Sequence, residues 1–396
     1  MKQPENFYIP RDLSEEVLQM SQSYPIVTIT GPRQSGKTAL VRSLFPNKPY
    51  INLENPDERA KVMSDPRAIL AQYADGAIFD EIQRYPDLLS YLQTHVDELK
   101  KNGLFILTGS HQLMLHQAVS QSLAGRTALL QLLPLSIKEL KKYSSSLTLD
   151  QQIIKGFYPR LYRPDLTDFS PTKFHRDYLQ TYVERDVRLL INLKDLHIFQ
   201  SFIRLCAGRI GQLLNYDNLS NELGVSSHTI KHWISILEAS FIIFILQPYH
   251  ENIGKRLTKS AKIYFMDVGL AAYLLGIETP EQLSRDPARG HLVENLVVLE
   301  VLKTKLNKGE SSELYFFRDH QNHEVDLLIK KGQEFIPCEI KASQTFHGNF
   351  LDGLNFFKAL FGPERIKSSY LIYSGETEAL GEHTLLNYRA SEEVVP

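Results

Sequence analysis

The sequence is poor in cysteine, tryptophan and long apolar runs, and it has almost no net charge. Its 396 residues include two cysteines, one tryptophan, 44 Lys and Arg and 46 Asp and Glu, giving a formal charge of -2. Cys206 and Cys338 are far apart, which excludes a disulfide framework and a cysteine metal site and favours a reducing compartment. The near-neutral charge excludes a globally basic nucleic-acid-binding protein, but it leaves a local basic patch possible.

The chain also lacks a segment that predicts a membrane span. The N-terminus, MKQPENFYIPRDL, has no apolar signal core, and the longest apolar stretch, residues 241–246, is much shorter than a spanning helix. Hydrophobic residues make up 43% of the chain, which is enough for more than one core, and the length favours two or three domains. We expect a cytoplasmic protein with no membrane partner.

A phosphate-binding loop is the strongest motif that is present. Residues 31–38 read GPRQSGKT between an apolar run and a helical run, which matches Gly-x-x-x-x-Gly-Lys-Ser/Thr. Lys37 would reach the terminal phosphates and the Thr38 hydroxyl would ligate magnesium, so ATP and Mg²⁺ are the predicted cofactors. Arg33 either faces the nucleotide or is a solvent-facing loop residue. The predicted nucleotide-binding residues are Gly31, Pro32, Arg33, Gln34, Ser35, Gly36, Lys37, Thr38 and Ala39.

Strand-like and helix-like segments alternate after this loop, which predicts a parallel α/β sheet. Its strands are expected near residues 26–30, 50–53, 77–79, 104–108 and 129–132.

Polar residues follow the third and fourth predicted strands. Asp80 is placed to hold Mg²⁺ through its water shell, and Glu81 to polarise the attacking water. Thr108 or Ser110 can sense the γ-phosphate at the same edge of the sheet. Arg126, before the fifth strand, is either a finger that reaches a neighbouring subunit's nucleotide or an ordinary surface arginine.

Residues 24–140 resemble the AAA-type branch of P-loop ATPases. The resemblance implies that Ser110 or Thr108 acts as sensor and that Arg126 acts as a finger between subunits, which would make the protein a homo-oligomer. For the second-sensor arginine of that family, the candidates are Arg160 and Arg185.

The middle of the chain predicts helices and then a winged helix. YLQTYVERDVRLL has apolar residues at helical spacing, typical of an amphipathic helix that packs on the ATPase core. Residues 219–223, a turn at Gly224 and residues 226–239 have the rhythm of a helix-turn-helix, with Trp233 expected in its core. Strands near 241–246 and 262–266 flank a basic loop at 250–259, which resembles a winged helix. Contact with DNA or RNA and contact with a protein partner both remain open.

The C-terminal part carries acids and a lysine in a nuclease-like order. Glu294 lies on a predicted helix, Asp326 on one hairpin strand, and Glu339 and Lys341 on the same face of the next. Such residues can hold Mg²⁺ through Glu294, Asp326 and Glu339 while Lys341 orients a water that attacks a phosphodiester. Residues 288–375 resemble the restriction-endonuclease-like superfamily on these residues. The alternative is a solvated hairpin, or a nuclease fold kept only as a scaffold.

Further segments extend the resemblance to nearly the whole chain. The Tyr158-Pro159 pair, YVERDV at 182–187, IYFMDVGL at 263–270 and EVDLLI at 324–329 resemble a prokaryotic family. In that family an AAA-type ATPase domain precedes a nuclease-like domain of unassigned function.

We therefore predict an α/β protein with three parts. An AAA-type P-loop ATPase domain covers residues 1–140, a helical connector with a winged helix covers 141–285, and a restriction-endonuclease-like domain covers 286–396. The predicted function is Mg²⁺-dependent ATP hydrolysis acting on nucleic acid, with metal-dependent cleavage in the C-terminal domain. The alternative is an ATP-driven switch that docks a protein partner and carries an inert nuclease-like scaffold.

Overall fold

The structure is a computed structural model, and it describes residues 7–110, 122–166, 169–183, 196–249 and 260–396. Within these ranges, no helix is both long enough and apolar enough to cross a membrane.

The N-terminal part of the chain forms a parallel sheet. Its strands are β1 Ile26–Thr30, β2 Tyr50–Asn52, β3 Ala77–Asp80, β4 Phe105–Gly109 and β5 Thr127–Gln131. They are ordered β2-β3-β4-β1-β5, and each described pair is parallel. The predicted parallel sheet is therefore confirmed, with strand ends that differ from expectation by no more than two residues.

Helices cover both faces of this sheet. They are α1 Ser14–Ser23, α2 Lys37–Leu44, α3 Pro56–Ser64, α4 Pro66–Gln72 and α5 Leu88–Leu99. Every residue of β1, β3 and β4 is buried, as the continuous apolar runs of parallel strands require. Side chains at the starts of α3 and α4 set their first turns, because Asn55 and Asp65 accept backbone N–H groups and a proline follows each.

The connector is helical. It contains α6 Lys141–Ser144, α7 Leu149–Lys155, short 3-10 helices at Pro159–Tyr162 and Pro164–Leu166, and α8 Pro171–Tyr178, which continues as a π-helical turn, Leu179–Val183. The rings of Phe174 and Tyr178 lie 5.4 and 4.7 Å from that of Tyr158. Of the predicted amphipathic helix, residues 178–183 are helical and Tyr178 and Leu179 are buried, while residues 184–190, with Arg185, lie outside the described residues.

Three further helices follow, α9 Leu196–Ala207, α10 Tyr216–Leu223 and α11 Ser227–Ala239. Gly224 ends α10 with φ +67, and Ser226 begins α11 by accepting the Thr229 N–H. Trp233 is only 7% exposed, and its ring lies 5.4 Å from Phe199 and 5.2 Å from Phe202. Its predicted place in the core is confirmed.

The remaining strands build a second sheet, and α-helices lie between them along the chain. They are β6 Ile243–Pro248, β7 Lys262–Phe265, α12 Val268–Leu274, α13 Pro280–Leu283, α14 Arg289–Asn307, β8 Tyr315–Arg318, β9 Glu324–Lys331, β10 Glu334–Ile340, α15 Asp352–Phe361, β11 Tyr370–Tyr373, β12 Glu378–Leu380 and β13 His383–Asn387. Across the described residues the strand order is β12-β13-β11-β10-β9-β8-β6-β7.

The hairpin β6–β7 belongs to this second sheet, which crosses the boundary predicted at residue 286. Gln247 and Pro248 of β6 pair in parallel with Tyr315 and Phe316 of β8. An unpaired β8 edge would expose backbone donors and acceptors, and β6 covers that edge. β6 also begins two residues later than expected, because Phe241 has φ +56 in the turn after α11. The basic loop 250–259 lies outside the described residues.

Helix α14 is buried on nearly all sides, which explains why its apolar residues do not form a single stripe. Asn295 donates to the Phe265 carbonyl (2.8 Å) and accepts its N–H (2.7 Å), so it closes the outer strand β7. One core joins residues of the 133–137 segment, α9, α11, α14 and β10. The connector and the C-terminal part therefore share a core.

A glycine before β3 gives a test of the sheet. Gly76 and Gly125 both have positive φ, +88 and +75, but an added Cβ would lie 1.7 Å from the Leu104 carbonyl oxygen at Gly76 and meet nothing within 4 Å at Gly125. We expect Gly125→Ala to cost about 1–2 kcal/mol through backbone strain, and Gly76→Ala to cost a further ~1–3 kcal/mol. Urea unfolding followed by circular dichroism measures both. Equal midpoints for the two variants would contradict the close approach at Gly76.

Candidate functional site

The phosphate loop joins β1 to α2 through backbone that only small residues fit. Gly31 has φ +152, and a Cβ there would lie 2.1 Å from the Leu132 carbonyl oxygen. Gly36 has φ +98 directly before the first residue of α2. Both glycines of the motif are therefore required by the local geometry, and the loop lies at the N-terminus of α2, where a helix attracts phosphate.

Lys37 lies inside this loop. Its ammonium donates to the carbonyl oxygens of Gly31 at 2.9 Å and Pro32 at 2.8 Å, and the residue is 5% exposed. Burial lowers the pKa of Lys37 to about 8, although Glu81 and Asp80 oppose that shift. Among the described residues the buried Ser35 hydroxyl has no hydrogen-bond partner. Phosphate oxygens are the acceptors that these groups fit.

Asp80, the last residue of β3, collects hydroxyl groups from neighbouring elements. The Thr38 hydroxyl donates to Asp80 Oδ2 at 2.8 Å, the Tyr50 hydroxyl donates to the same oxygen at 2.6 Å, and the Thr108 hydroxyl donates to Oδ1. Burial raises the pKa of Tyr50, and its bond to Asp80 adds to the rise. The facing oxygens of Thr38 and Asp80 form the donor set that Mg²⁺ prefers, so these residues fit the ion.

Glu81 is held in a strained backbone conformation beside Asp80. Its φ and ψ are +58 and +49 degrees, which non-glycine residues adopt uncommonly. The Ser110 hydroxyl donates to Glu81 Oε2 at 3.0 Å, and the Gln83 amide donates to the same oxygen and to Ser110 Oγ. The structure thus brings predicted Glu81 and Ser110 together and adds Gln83, which the motif does not mark.

Arg11 ties the loop to the segment after β5. Its guanidinium donates to the carbonyl oxygens of Ser35 and Leu133, each at 2.7 Å, and to Glu139 Oε1 at 3.0 Å. Arg11 is 5% exposed. Because its partners are 24 to 128 residues away in sequence, no local pattern identifies it.

Arg33 lies in the phosphate loop, whereas Arg126 lies at the opposite end of the sheet. Arg33 is largely buried, with Nη1 3.9 Å from Glu54 Oε1, so the interpretation as a solvent-facing residue is wrong. Arg126 donates to both carboxylate oxygens of Asp97, at 2.7 and 2.8 Å. It comes directly before β5, and the length of that strand, about 16 Å, separates it from the phosphate loop. An arginine side chain is shorter than this distance, so Arg126 does not act on its own chain's nucleotide. Its role toward a neighbouring subunit stays a prediction.

Two cavities, of about 450 and 560 Å³, flank the loop and α2. Gly36, Leu135, Pro159, Arg160 and Leu166 line the first, and Thr38, Arg42 and Tyr50 line the second, while Tyr8 and Ala39 line both. Arg160, one predicted second-sensor candidate, thus lies beside the loop. The other candidate, Arg185, lies outside the described residues.

A buried ion pair connects this half to α14. The Ile137 N–H donates to Glu300 Oε2 at 2.6 Å, and Lys303 Nζ donates to the Leu135 carbonyl at 2.8 Å and to Glu300 Oε1 at 2.7 Å. The segment 133–139, which Arg11 holds from one side, is therefore held by α14 from the other.

The four predicted C-terminal residues lie in one cluster. Lys341 Nζ is 2.5 Å from Glu339 Oε1 and 3.9 Å from Asp326 Oδ2, and Asp326 also accepts the Ile340 N–H at 2.9 Å. Glu294 joins the cluster through a residue that the sequence did not single out, Lys262. Burial raises the pKa of Glu339, and the Asp326 carboxylate raises it further.

Lys262 lies between three of the carboxylates. Its Nζ is 3.0 Å from Glu294 Oε1, 2.5 Å from Glu324 Oε1 and 3.9 Å from Asp326 Oδ1. Burial disfavours its charged form, but the carboxylates, led by Glu294, outweigh burial and raise the pKa of Lys262. In the described part of the chain, no group of three or more His, Cys, Asp or Glu is arranged to hold a metal ion. The cluster is thus a network of ion pairs.

Comparisons with known proteins fit the nucleotide site. A family model described as an AAA domain matches residues 23–141, and two described as domains of unknown function, DUF8612 and DUF4143, match residues 146–281 and 289–389. An uncharacterised protein of Mycobacterium tuberculosis is 31% identical over 338 residues, which cover 85% of this chain and 74% of that protein. The chain belongs to the same family.

More distant similarity extends to other organisms. An uncharacterised protein of Haemophilus influenzae is 24% identical over 360 residues, covering 82% of this chain and 84% of that protein. A solved Walker-type ATPase of Pyrococcus abyssi has a TM-score of 0.47 at 16% identity, over 69% of this chain and 97% of that one. The predicted AAA-type P-loop domain is confirmed by the AAA match. The winged helix and the nuclease-like identity of the C-terminal part stay predictions.

Arg11 yields a prediction for the site. Arg11→Met removes the guanidinium from the buried Glu139 carboxylate and frees the loop carbonyl at Ser35, which should cost about 3–5 kcal/mol and weaken ATP binding. Lys138→Met is the control, because Lys138 pairs with Asp12 at 3.1 Å but is 56% exposed and should cost about 0–1 kcal/mol. Thermal unfolding and titration with a fluorescent ATP analogue measure both effects. Similar losses in the two variants would contradict the role given to Arg11.

Proposed function

We propose that the protein is a Mg²⁺-dependent ATPase and that its nucleotide state acts on the C-terminal part of the chain. The observation that carries the proposal is the 2.8 Å hydrogen bond between Thr38 in the phosphate loop and Asp80 at the end of β3. In P-loop ATPases a hydroxyl and a carboxylate in these positions hold the magnesium of Mg-ATP. The AAA match over residues 23–141 supports the same conclusion.

Each group around this pair has a separate task. Lys37 carries its ammonium to the terminal phosphates, which are stronger acceptors than the loop carbonyls it contacts here. Glu81 accepts a hydrogen bond from the attacking water and orients it, while Ser110 and Gln83 hold the Glu81 carboxylate in place. When bound, Mg²⁺ neutralises charge that develops on the transferred phosphoryl group.

The base of ATP fits the cavity of about 450 Å³ beside the loop. Leu135, Pro159 and Leu166 supply apolar walls to it, and Arg160 supplies a cation. Within the described residues, the Tyr8 hydroxyl is buried without a hydrogen-bond partner, and it lines this cavity. A purine ring has an apolar face, which matches the apolar walls, and hydrogen-bonding edges, which match the Tyr8 hydroxyl.

The contacts on either side of residues 133–139 give the path by which nucleotide binding acts on the C-terminal part of the chain. Arg11 holds the loop carbonyl of Ser35 and the Glu139 carboxylate, and Glu300 with Lys303 holds the same segment from α14. A shift of the loop on nucleotide binding therefore moves the segment against α14, because a buried polar network has few alternative arrangements.

Glu81→Gln tests the ATPase directly. The amide keeps the size of the side chain but removes the charge that polarises water, so turnover should fall by about 100-fold or more while ATP binding persists. Lys37→Ala should abolish binding and turnover together. Glu281→Gln, an exposed acid on α13, is the matched control and should behave as wild type. Wild-type turnover by a folded Glu81→Gln variant would contradict the assignment of Glu81 as the residue that orients the attacking water.

Action on nucleic acid is a second candidate, favoured by one surface. His228, Lys231 and His232 are exposed on α11, the second helix of the helix-turn-helix, and lie on one face at helical spacing. In proteins of this type the second helix can contact a major groove or phosphates. The competing hypothesis is that the same face docks a protein partner.

Lys231→Glu separates these two readings. If the face binds polynucleotide, DNA or RNA should stimulate ATP hydrolysis, and the variant should lose that stimulation. Its binding to polynucleotide should also depend less steeply on salt concentration, by about one phosphate contact. Lys61→Glu, with the same charge change on the exposed face of α3, is the control. Hydrolysis indifferent to single-stranded DNA, duplex DNA and RNA would favour the protein-docking switch.

Metal-dependent cleavage is not part of the proposed function. Glu294, Asp326, Glu339 and Lys341 do converge, which is what the nuclease prediction requires, but Lys262 lies among the acids. The arrangement therefore favours the alternative of an inert nuclease-like scaffold.

A further inference from the structure

Lys262 comes to the C-terminal cluster from outside the nuclease-like segment. It is the first residue of β7, on the hairpin that precedes α12, whereas its partners lie on α14 and β9. Its side chain is 2% exposed, although lysine is almost never fully buried unless it is paired. The burial therefore points to a definite role for the ammonium among the carboxylates.

The surroundings fix the lysine in this position. Lys262 pairs with Leu246 on β6 and bridges to Leu213, and its ammonium lies 5.3 Å from the centre of the Phe316 ring. The Tyr264 hydroxyl donates to Glu294 Oε1 at 2.6 Å, the same oxygen that faces Lys262. The backbone of Lys262 is thus fixed at the edge of the sheet, and its buried ammonium lies between the Phe316 ring and Glu294.

The cluster holds four carboxylates and three cations, and each carboxylate faces at least one cation. Arg318 Nη1 lies 2.9 Å from Glu324 Oε2, Lys341 lies 2.5 Å from Glu339, and Lys262 faces the remaining acids, Glu294 and Asp326. A divalent ion needs several oxygen ligands at about 2.0–2.6 Å, with carboxylates among them. The ammonium of Lys262 occupies the space between those oxygens and repels a second cation there.

We propose that Lys262 is the resident cation of this cluster, that its ammonium fills the place a divalent metal would take, and that the wild-type cluster binds no Mg²⁺ or Mn²⁺. The cluster then fastens β7 to α14 and β9 by ion pairs instead of supporting metal chemistry. This inference does not depend on ATP hydrolysis, since none of these residues belongs to the nucleotide site.

Removing the ammonium should convert the cluster into a metal site. Lys262→Ala leaves Glu294, Glu324 and Asp326 facing an open space, so in nucleotide-free protein the variant should bind Mn²⁺, and Mn²⁺ should raise its thermal midpoint. Electron paramagnetic resonance counts the bound ion in full-length protein. Adding Glu294→Gln to Lys262→Ala should abolish both effects.

Lys303→Ala is the matched control. Like Lys262, Lys303 is a buried lysine, 3% exposed. It lies on α14 and pairs with one carboxylate, Glu300. Its removal should lower the midpoint without any recovery on adding Mn²⁺. If Lys262→Ala does not fold, Lys262→Gln keeps a polar side chain, one atom shorter and without the charge, and the same measurements are made on it.

Two results would overturn the proposal. One is Mn²⁺ binding by nucleotide-free wild-type protein that Asp326→Asn abolishes, since the cluster would then accept a metal beside Lys262. The other is a folded Lys262 variant that neither binds Mn²⁺ nor gains stability from it.

Discussion

The carboxylate of Asp80 is the point on which the nucleotide site depends. It is 4% exposed and accepts hydroxyl groups from Thr38, Tyr50 and Thr108, which lie on α2, β2 and β4. A buried carboxylate is stable only when its oxygens are satisfied, so these bonds hold three elements against the end of β3. The parallel order of the strands brings Asp80 and Thr108 to the carboxyl edge of the sheet, where open α/β folds bind ligands, and the side chain of Tyr50 reaches Asp80 from the start of β2.

Helix α14 connects that edge to the rest of the molecule. Glu300 and Lys303 hold the segment after β5, Asn295 holds the backbone of β7, and Glu294 joins the C-terminal cluster. These four residues lie within three turns of one buried helix. A change at the phosphate loop therefore has a short physical route to the second sheet, through contacts that are nearly all buried.

Local patterns predicted the parts of the fold that depend on nearby residues. The phosphate loop, the strands of the first sheet, the α10–α11 turn at Gly224 and strand β9 follow from glycine positions, apolar runs and caps that act within a few residues. Each of these elements carries its own signal, and the strands of the first sheet lie within two residues of their predicted ends.

The missed features depend on contacts between distant residues. Arg11, Gln83 and Lys262 are ordinary polar residues in sequence, and only the tertiary structure places them at buried carboxylates. The pairing of β6 with β8 was also missed, because the predicted winged helix treated the hairpin as complete by itself. A hairpin leaves open which sheet edge it will cover, and the pairing of β6 with β8 carries the second sheet across the boundary predicted at residue 286.

The most direct test of the central claim is phosphate release from ATP by purified full-length wild-type protein, with Mg²⁺ and with EDTA in parallel. The account predicts continuous release over many turnovers with Mg²⁺, and its loss when the ion is chelated. Protein that binds ATP tightly with Mg²⁺ yet releases no phosphate would contradict the assignment of Thr38, Asp80 and Glu81 to a hydrolytic site.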